Sequence, residues 1–199
     1  MPANRNIVVI GGPNGAGKST IARNVLVDTL GVHEFVNADV IATGLSGFDP
    51  ERAAFAAGRV MLARLHELAR GDTPFAFEST LASRSFAPWL ADLSRREWRV
   101  HLIYVWLQSP DLAVQRVAAR VRRGGHSIPE NIIRRRYARS ARNFWNLYRP
   151  LASSWRMFEN SSASPILIAM EPRSRLDPSP IAPLLARFIE IANAQPETH

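Results

Sequence analysis

The sequence predicts an α/β protein, and three observations carry that reading. Ile7-Val8-Val9-Ile10 is an uncharged, partly β-branched apolar run, the pattern of a buried strand, and it leads directly into a glycine-rich turn and a helical stretch. Short apolar runs then alternate with longer amphipathic segments along the chain. Finally, 199 residues with 46% hydrophobic content can build one sizeable core, so residues 1–199 read as a single domain.

The turn after the first strand is the most informative stretch. Residues 12–19 fit G-x-x-x-x-G-K-[ST], the nucleotide-phosphate loop. Gly12, Pro13, Asn14, Gly15, Ala16 and Gly17 would wrap phosphate oxygens, with glycines where a Cβ would clash. Successive N–H groups of the non-proline residues of the loop, continued by Ser19 and Thr20, would form an anion nest at a helix N-terminus. Lys18 would reach the β- and γ-phosphates, and the Ser19 hydroxyl would take one Mg²⁺ position. Lys18 is also the only lysine of the chain; the other long cationic side chains are arginines. The expected ligands are therefore ATP and Mg²⁺ on a P-loop NTPase fold.

The absence of cysteine excludes disulfides and thiolate zinc sites. No N-terminal leader pattern fits residues 1–6, and no apolar run is long enough to span a membrane, so a cytoplasmic protein is expected. The net charge of +8 admits nucleic acid, an acidic partner or polyanionic small molecules.

After the loop, residues 20–30 read as a helix closed by Gly31, with Ile21, Val25 and Leu26 on one face. A short strand follows over residues 33–36, then Asn37-Ala38-Asp39. A carboxylate just beyond a strand's C-terminal end sits where open α/β sheets bind ligands, so Asp39 is a catalytic or binding candidate, or a helix cap. Residues 44–50 read as a loop, and 50–70 as a long helix with Ala54, Ala57, Met61 and Leu65 on one stripe, ended by Gly71. Phe75-Ala76-Phe77 is a short buried strand closed by Glu78, a carboxylate able to hold magnesium through water or to hold substrate. Residues 83–95 read as a helix that Pro88 kinks or delays.

The longest strand candidate, residues 98–107, ends without a carboxylate. Motor-type and transporter-type ATPases carry an acidic pair there, so this ending favours a small kinase. Ser109-Pro110-Asp111 starts the next helix, on which Arg116, Arg120 and Arg123 form a cationic face running into Arg122-Arg123-Gly124-Gly125-His126. A flexible arginine-bearing segment, about residues 120–129, is what a kinase lid needs. Ser127-Ile128-Pro129-Glu130 matches a capping box for a helix to about Tyr148, with Ile133, Tyr137, Phe144 and Tyr148 buried. Trp155 and Phe158 read as core, residues 165–170 as a last strand, and residues 181–194 as a closing helix.

Together these motifs resemble the zeta toxin family of P-loop kinases, particularly its short stand-alone members. The resemblance rests on residues 11–20, Asn37-Ala38-Asp39, Phe77-Glu78-Ser79-Thr80, residues 123–130 followed by Arg135-Arg136-Tyr137, and Phe158-Glu159-Asn160-Ser161, where the family more often has Asp in place of Glu159. It implies a nucleotide-kinase-like parallel sheet of about five strands flanked by helices. It implies transfer of the ATP γ-phosphate to a substrate hydroxyl, in studied members the sugar 3′-hydroxyl of a UDP-activated amino sugar. On that mapping Lys18 and Ser19 hold ATP and Mg²⁺, and Asp39 is the catalytic base. Glu78, with Ser79 and Thr80, lies on the substrate side. Arg120 and Arg123 are lid arginines, Arg136 a second arginine, and Asn160 part of the adenine-side turn. An antitoxin partner is a further implication. Rival readings are an antibiotic or nucleoside phosphotransferase, and, in another class, a nucleotide-dependent nucleic-acid-binding protein. No recognition motif accompanies the last, and nucleic acid is not the expected partner.

Overall fold

A computed structural model describes residues 5–22, 32–46, 50–125, 127–172 and 181–194. The strands are β1 (Asn6–Gly11), β2 (Glu34–Val36), β3 (Phe75–Ser79), β4 (Arg99–Trp106), β5 (Ser154–Glu159) and β6 (Ile166–Glu171). The helices are α1, helical over residues 18–22 within the described part, α2 (Ala38–Leu45), α3 (Pro50–Arg70), α4 (Phe86–Arg95), α5 (Pro110–Val121), α6 (Glu130–Asn143) and α7 (Ala182–Asn193). Val25, Leu26 and Gly31, expected in the first helix, lie outside the described residues, as does His126.

The strands form one six-stranded sheet in the order β2-β3-β1-β4-β5-β6. The first five are parallel, as the sequence leads one to expect of an α/β fold, and β6 runs antiparallel to β5. The five parallel strands match the expected count of about five, and the antiparallel strand adds a sixth. Residues 154–159 alternate buried Trp155, Met157 and Glu159 with more accessible neighbours, the period of a strand. The reversal has a simple cause. Only residues 160–165 join β5 to β6, too few for the crossover that a parallel pair requires.

Helix ends follow local chemistry. Residues 38–45, partly read as loop, are helical because Asn37 in extended conformation accepts the Asp39 amide at 2.8 Å and caps α2. Pro88 sits in the first turn of α4, where a proline is tolerated, so the helix starts late and is not kinked. The expected capping box before α6 is absent. Pro129 occupies the cap position and Glu130 the first turn, where its carboxylate accepts from Arg134 one turn on at 2.8 Å. The helix then passes through a π-turn (Phe144–Tyr148) before Pro150.

One side of the core is aromatic. Tyr104 of β4 stacks on Phe144 at 4.0 Å between ring centroids, and Phe188 of α7 packs edge-on against Tyr104 and Trp106. Trp106 Nε1 donates to the Tyr137 hydroxyl, which donates to the Leu107 carbonyl at 2.7 Å, so the buried polar tips are satisfied. This packing fixes the C-terminal end of β4, and with it the floor beneath the glycine-rich turn. Among the described residues, no helix is long and apolar enough to cross a membrane.

Candidate active site

The site is built where β1 meets α1. Gly12, Gly15 and Gly17 adopt φ values of +142°, +76° and +85°, which side-chain-bearing residues rarely tolerate. At Gly12 a Cβ would overlap the Val105 carbonyl oxygen of the neighbouring strand. At Gly17 it would lie 2.6 Å from Asn160 Nδ2, and that amide donates to the Ala16 carbonyl at 2.8 Å. The loop therefore threads between β4 and the turn after β5, and Asn160 clamps its outer side. Pro13 is buried, and its carbonyl accepts from Lys18 Nζ at 2.9 Å. Asn14 is buried, and its Oδ1 has no hydrogen-bond partner among the described residues.

Strand order puts a carboxylate against this loop. β3 lies directly beside β1, with Ile10 opposite Glu78 in the register. Glu78 Oε1 is 3.6 Å from Lys18 Nζ, and Oε2 accepts from Ser19 Oγ at 2.6 Å and from Asn37 Nδ2 at 2.9 Å. Asn37 thus joins two elements: its Nδ2 holds Glu78 and its Oδ1 caps the helix that carries Asp39. Burial draws the Lys18 ammonium below its ordinary range; Glu78 and Asp39 oppose that shift, and Arg120 adds to it. Glu78 and Asp39 thus offset the burial only in part, and a triphosphate would add further negative charge beside the ammonium.

The cationic side comes from α5. Arg116, Arg120 and Arg123 all line a cleft of about 620 Å³ together with Gly15, Gly17, Lys18, Ser19, Thr20, Ile21, Glu78 and Asn160. Arg116 donates to the Ser161 carbonyl at 3.0 Å, while the Ser161 amide donates to buried Glu159 at 2.6 Å. Arg123, expected on this helix, lies in the turn just past its end at Val121, where its Nε donates to the Ala119 carbonyl. Gly124 and Gly125 end α5, the latter's amide bonding the Arg120 carbonyl at 3.0 Å. A second recess of about 270 Å³ adjoins the cleft and is lined by Ser19, Asn37, Asp39, Thr43, Ala54 and Arg120 among others. Arg120 Nη1 lies 3.8 Å from Asp39 Oδ2 and so stands between the two spaces.

The sequence-derived residues divide accordingly. Lys18, Ser19, Glu78, Arg120, Arg123 and Asn160 meet around the cleft, and Asp39 faces it from the adjoining recess. Ser79 and Thr80 do not line either space; their hydroxyls accept the Leu81 and Ala82 amides and shape the turn after β3. Arg136 lies outside both linings, on α6 seven residues before Asn143, whose side chain donates to the Leu81 carbonyl. Sequence reasoning gave Asn37 no role of its own, although Asn before a carboxylate and an apolar run is a helix-start signal. The Mg²⁺ expectation fits the donors present: Ser19 and Glu78 offer hard oxygens. No group of three or more metal-ligating side chains occurs among the described residues, so such an ion would depend on phosphate oxygens and water for its remaining ligands.

Comparison with known proteins bears on the fold and the family. The crystal structure of AvrRxo1-ORF1 with AvrRxo1-ORF2 and sulphate ions superposes with a TM-score of 0.74 at 14% identity, over 98% of this chain and 66% of the matched one, so the present chain spans just under two thirds of that protein. The same complex with ATP gives a TM-score of 0.71 at 14% identity, over 100% of this chain and 67% of the other. The PezAT chromosomal toxin–antitoxin system of Streptococcus pneumoniae matches with a TM-score of 0.64 at 13% identity, over 98% and 89%. At these identities the likeness is one of fold, shared with AvrRxo1-ORF1 and with the PezAT toxin–antitoxin system. An uncharacterized protein of Haemophilus influenzae is 32% identical over 126 residues, 63% of this chain and 88% of its own length. A family model described as an AAA domain matches residues 7–143, from β1 through the phosphate loop, Glu78 and the arginine helix to the end of α6, and the chain belongs to that family.

Proposed function

We propose that this protein is an ATP-dependent kinase that transfers the γ-phosphoryl group to a hydroxyl of a small molecule. The observation that carries the proposal is the convergence of a buried lysine, a phosphate-loop serine, two carboxylates and three arginines on two joined cavities. Phosphoryl transfer asks mainly for positioning and charge stabilisation. The loop amides and Lys18 would hold the triphosphate, and Arg120 and Arg123 would face the charge that builds on the transferring group. Asp39 would orient the acceptor hydroxyl and take its proton late. The acceptor oxygen forms a bond to the γ-phosphorus, the bond from that phosphorus to the bridging oxygen breaks, and ADP leaves with the electron pair. Ser19 and Glu78 are the residues that would hold Mg²⁺, which supplies charge neutralisation to the phosphates when bound.

Resemblance to zeta toxins suggests a UDP-activated amino sugar as acceptor and an antitoxin as partner. An ion-paired recess beside the phosphate loop equally supports an antibiotic or nucleoside as acceptor. The test is incubation with labelled ATP, Mg²⁺ and a panel of UDP-sugars, nucleosides and aminoglycosides. Label should appear on one acceptor class. Asp39→Ala should retain ATP binding and lose transfer, and Lys18→Ala should weaken both. Undiminished turnover by the Asp39 variant would remove the base from the mechanism. Salt-sensitive retention of plain DNA or RNA, without transfer, would instead support a nucleic-acid-binding role.

A further inference from the structure

We infer that the acceptor is a small, phosphate-free alcohol with an apolar body, bound in the recess between α2 and α3; this rests on the kinase reading above. The recess is separate from the nucleotide cleft yet shares Ser19 and Arg120 with it, so an acceptor there would approach the end of the triphosphate. Its volume of about 270 Å³ falls below the roughly 300–1,000 Å³ of pockets that enclose drug-sized ligands, whereas the 620 Å³ cleft falls within that range.

Charge gives the stronger argument. The recess contains one cationic lining residue, Arg120, and one carboxylate, Asp39, which face each other at 3.8 Å and offset one another. A diphosphate-bearing acceptor would bring negative charge beside the ATP triphosphate, and among the described lining residues only Arg120, already facing Asp39, could meet it, so repulsion between the two sets of phosphates disfavours such an acceptor. Arg116 and Arg123 line the nucleotide cleft and not the recess. The remaining walls suit an uncharged body: Ala38, Val40, Ala42 and Ala54 are apolar, and the Thr43 hydroxyl already donates to the Asp39 carbonyl at 3.0 Å. Val40 is 67% exposed, an apolar side chain at an accessible wall that a bound acceptor could cover.

The experiment compares two acceptor sets with the full chain, labelled ATP and Mg²⁺. One set holds nucleosides and uncharged alcohols that carry an apolar ring or chain; the other holds UDP-sugars and dinucleotides. ATP binding is measured separately by calorimetry. The expected result is transfer to a member of the first set with kcat/KM at least about tenfold above any member of the second. Ala54→Trp, which adds bulk at an exposed helix position, should raise acceptor KM about tenfold or more and leave ATP affinity unchanged. Equal or better transfer to a UDP-sugar or dinucleotide would overturn the inference while upholding the kinase reading. ATP binding with no label on either set would also overturn it. Failure to bind ATP would instead bring down the kinase reading itself.

Discussion

Asn37 offers the sharpest test of how the site is held together. Its side chain does two jobs at once, capping α2 through Oδ1 at 2.8 Å and donating to Glu78 through Nδ2 at 2.9 Å, and it is only 8% exposed. Asn37→Ala removes both. Loss of a good N-cap costs about 1 kcal/mol. Loss of a hydrogen bond to a charged group costs roughly 1.5–3 kcal/mol, and the low end applies because Glu78 keeps Ser19 and Lys18. The sum is about 2–3 kcal/mol, and a domain of this size loses roughly 2–4 °C in Tm per kcal/mol. Asn37→Ser separates the two jobs, since a serine hydroxyl can cap but is too short to reach Glu78; it should lose about half as much. Asn37→Asp keeps the cap but sets a carboxylate against Glu78, and should fall below the serine variant at neutral pH. Urea unfolding with unchanged m-values gives the comparison. An alanine variant within about 0.5 kcal/mol of the wild type, or a serine variant as unstable as alanine, would refute this account.

Three further outcomes follow from the same geometry. Gly12→Ala should abolish ATP binding and lower Tm, because its Cβ meets the Val105 carbonyl at a φ of +142°; a variant of native stability and affinity would contradict the close approach. ATP affinity should fall as pH rises through the lowered Lys18 pKa, below the ordinary 10.5. The sign follows from linkage: the triphosphate favours the charged ammonium, so binding takes up protons in that range, and calorimetry in buffers of different ionisation enthalpy reads the uptake. Arg120→Ala should lower kcat by about 10³ or more if it stabilises the transferring group, with a smaller change in KM for ATP; loss confined to KM would make it a binding residue only.

Much of the fold was legible because local and global signals agree in it. Residues 50–70 form α3 with Ala57, Met61 and Leu65 buried, as the stripe requires; Ala54 departs from the stripe, exposed at the recess. The strand ending at Glu78 was readable from three apolar residues and a carboxylate. Two elements were missed for different reasons. α2 contains Gly44 and runs into a serine-glycine stretch, so composition outweighed the cap that starts it. β5 carries arginine between two buried residues, and its tryptophan and phenylalanine drew attention to packing before period. The distances between Glu78, Ser19 and Asn37 could not be read at all. They depend on β3 lying beside β1, and strand order is a tertiary property.

The arginines show why total charge misleads. A net +8 suggests a polyanion-binding surface, but the described arginines are put to different uses. Arg134 is neutralised by Asp111 at 2.6 Å and Glu130 at 2.8 Å. Arg142 caps the end of α7 through the Ala194 carbonyl, and Arg149 lies over the Trp145 ring at 3.9 Å. Arg116 and Arg120 on α5 and Arg123 in the turn after it line the cleft that also holds the chain's single lysine. Positive charge gathered in a concave space beside a nest of amides selects a compact polyanion more than an extended one, because the field is focused where the walls exclude water. A triphosphate matches that distribution. A nucleic-acid backbone would need the same charge laid out along a surface.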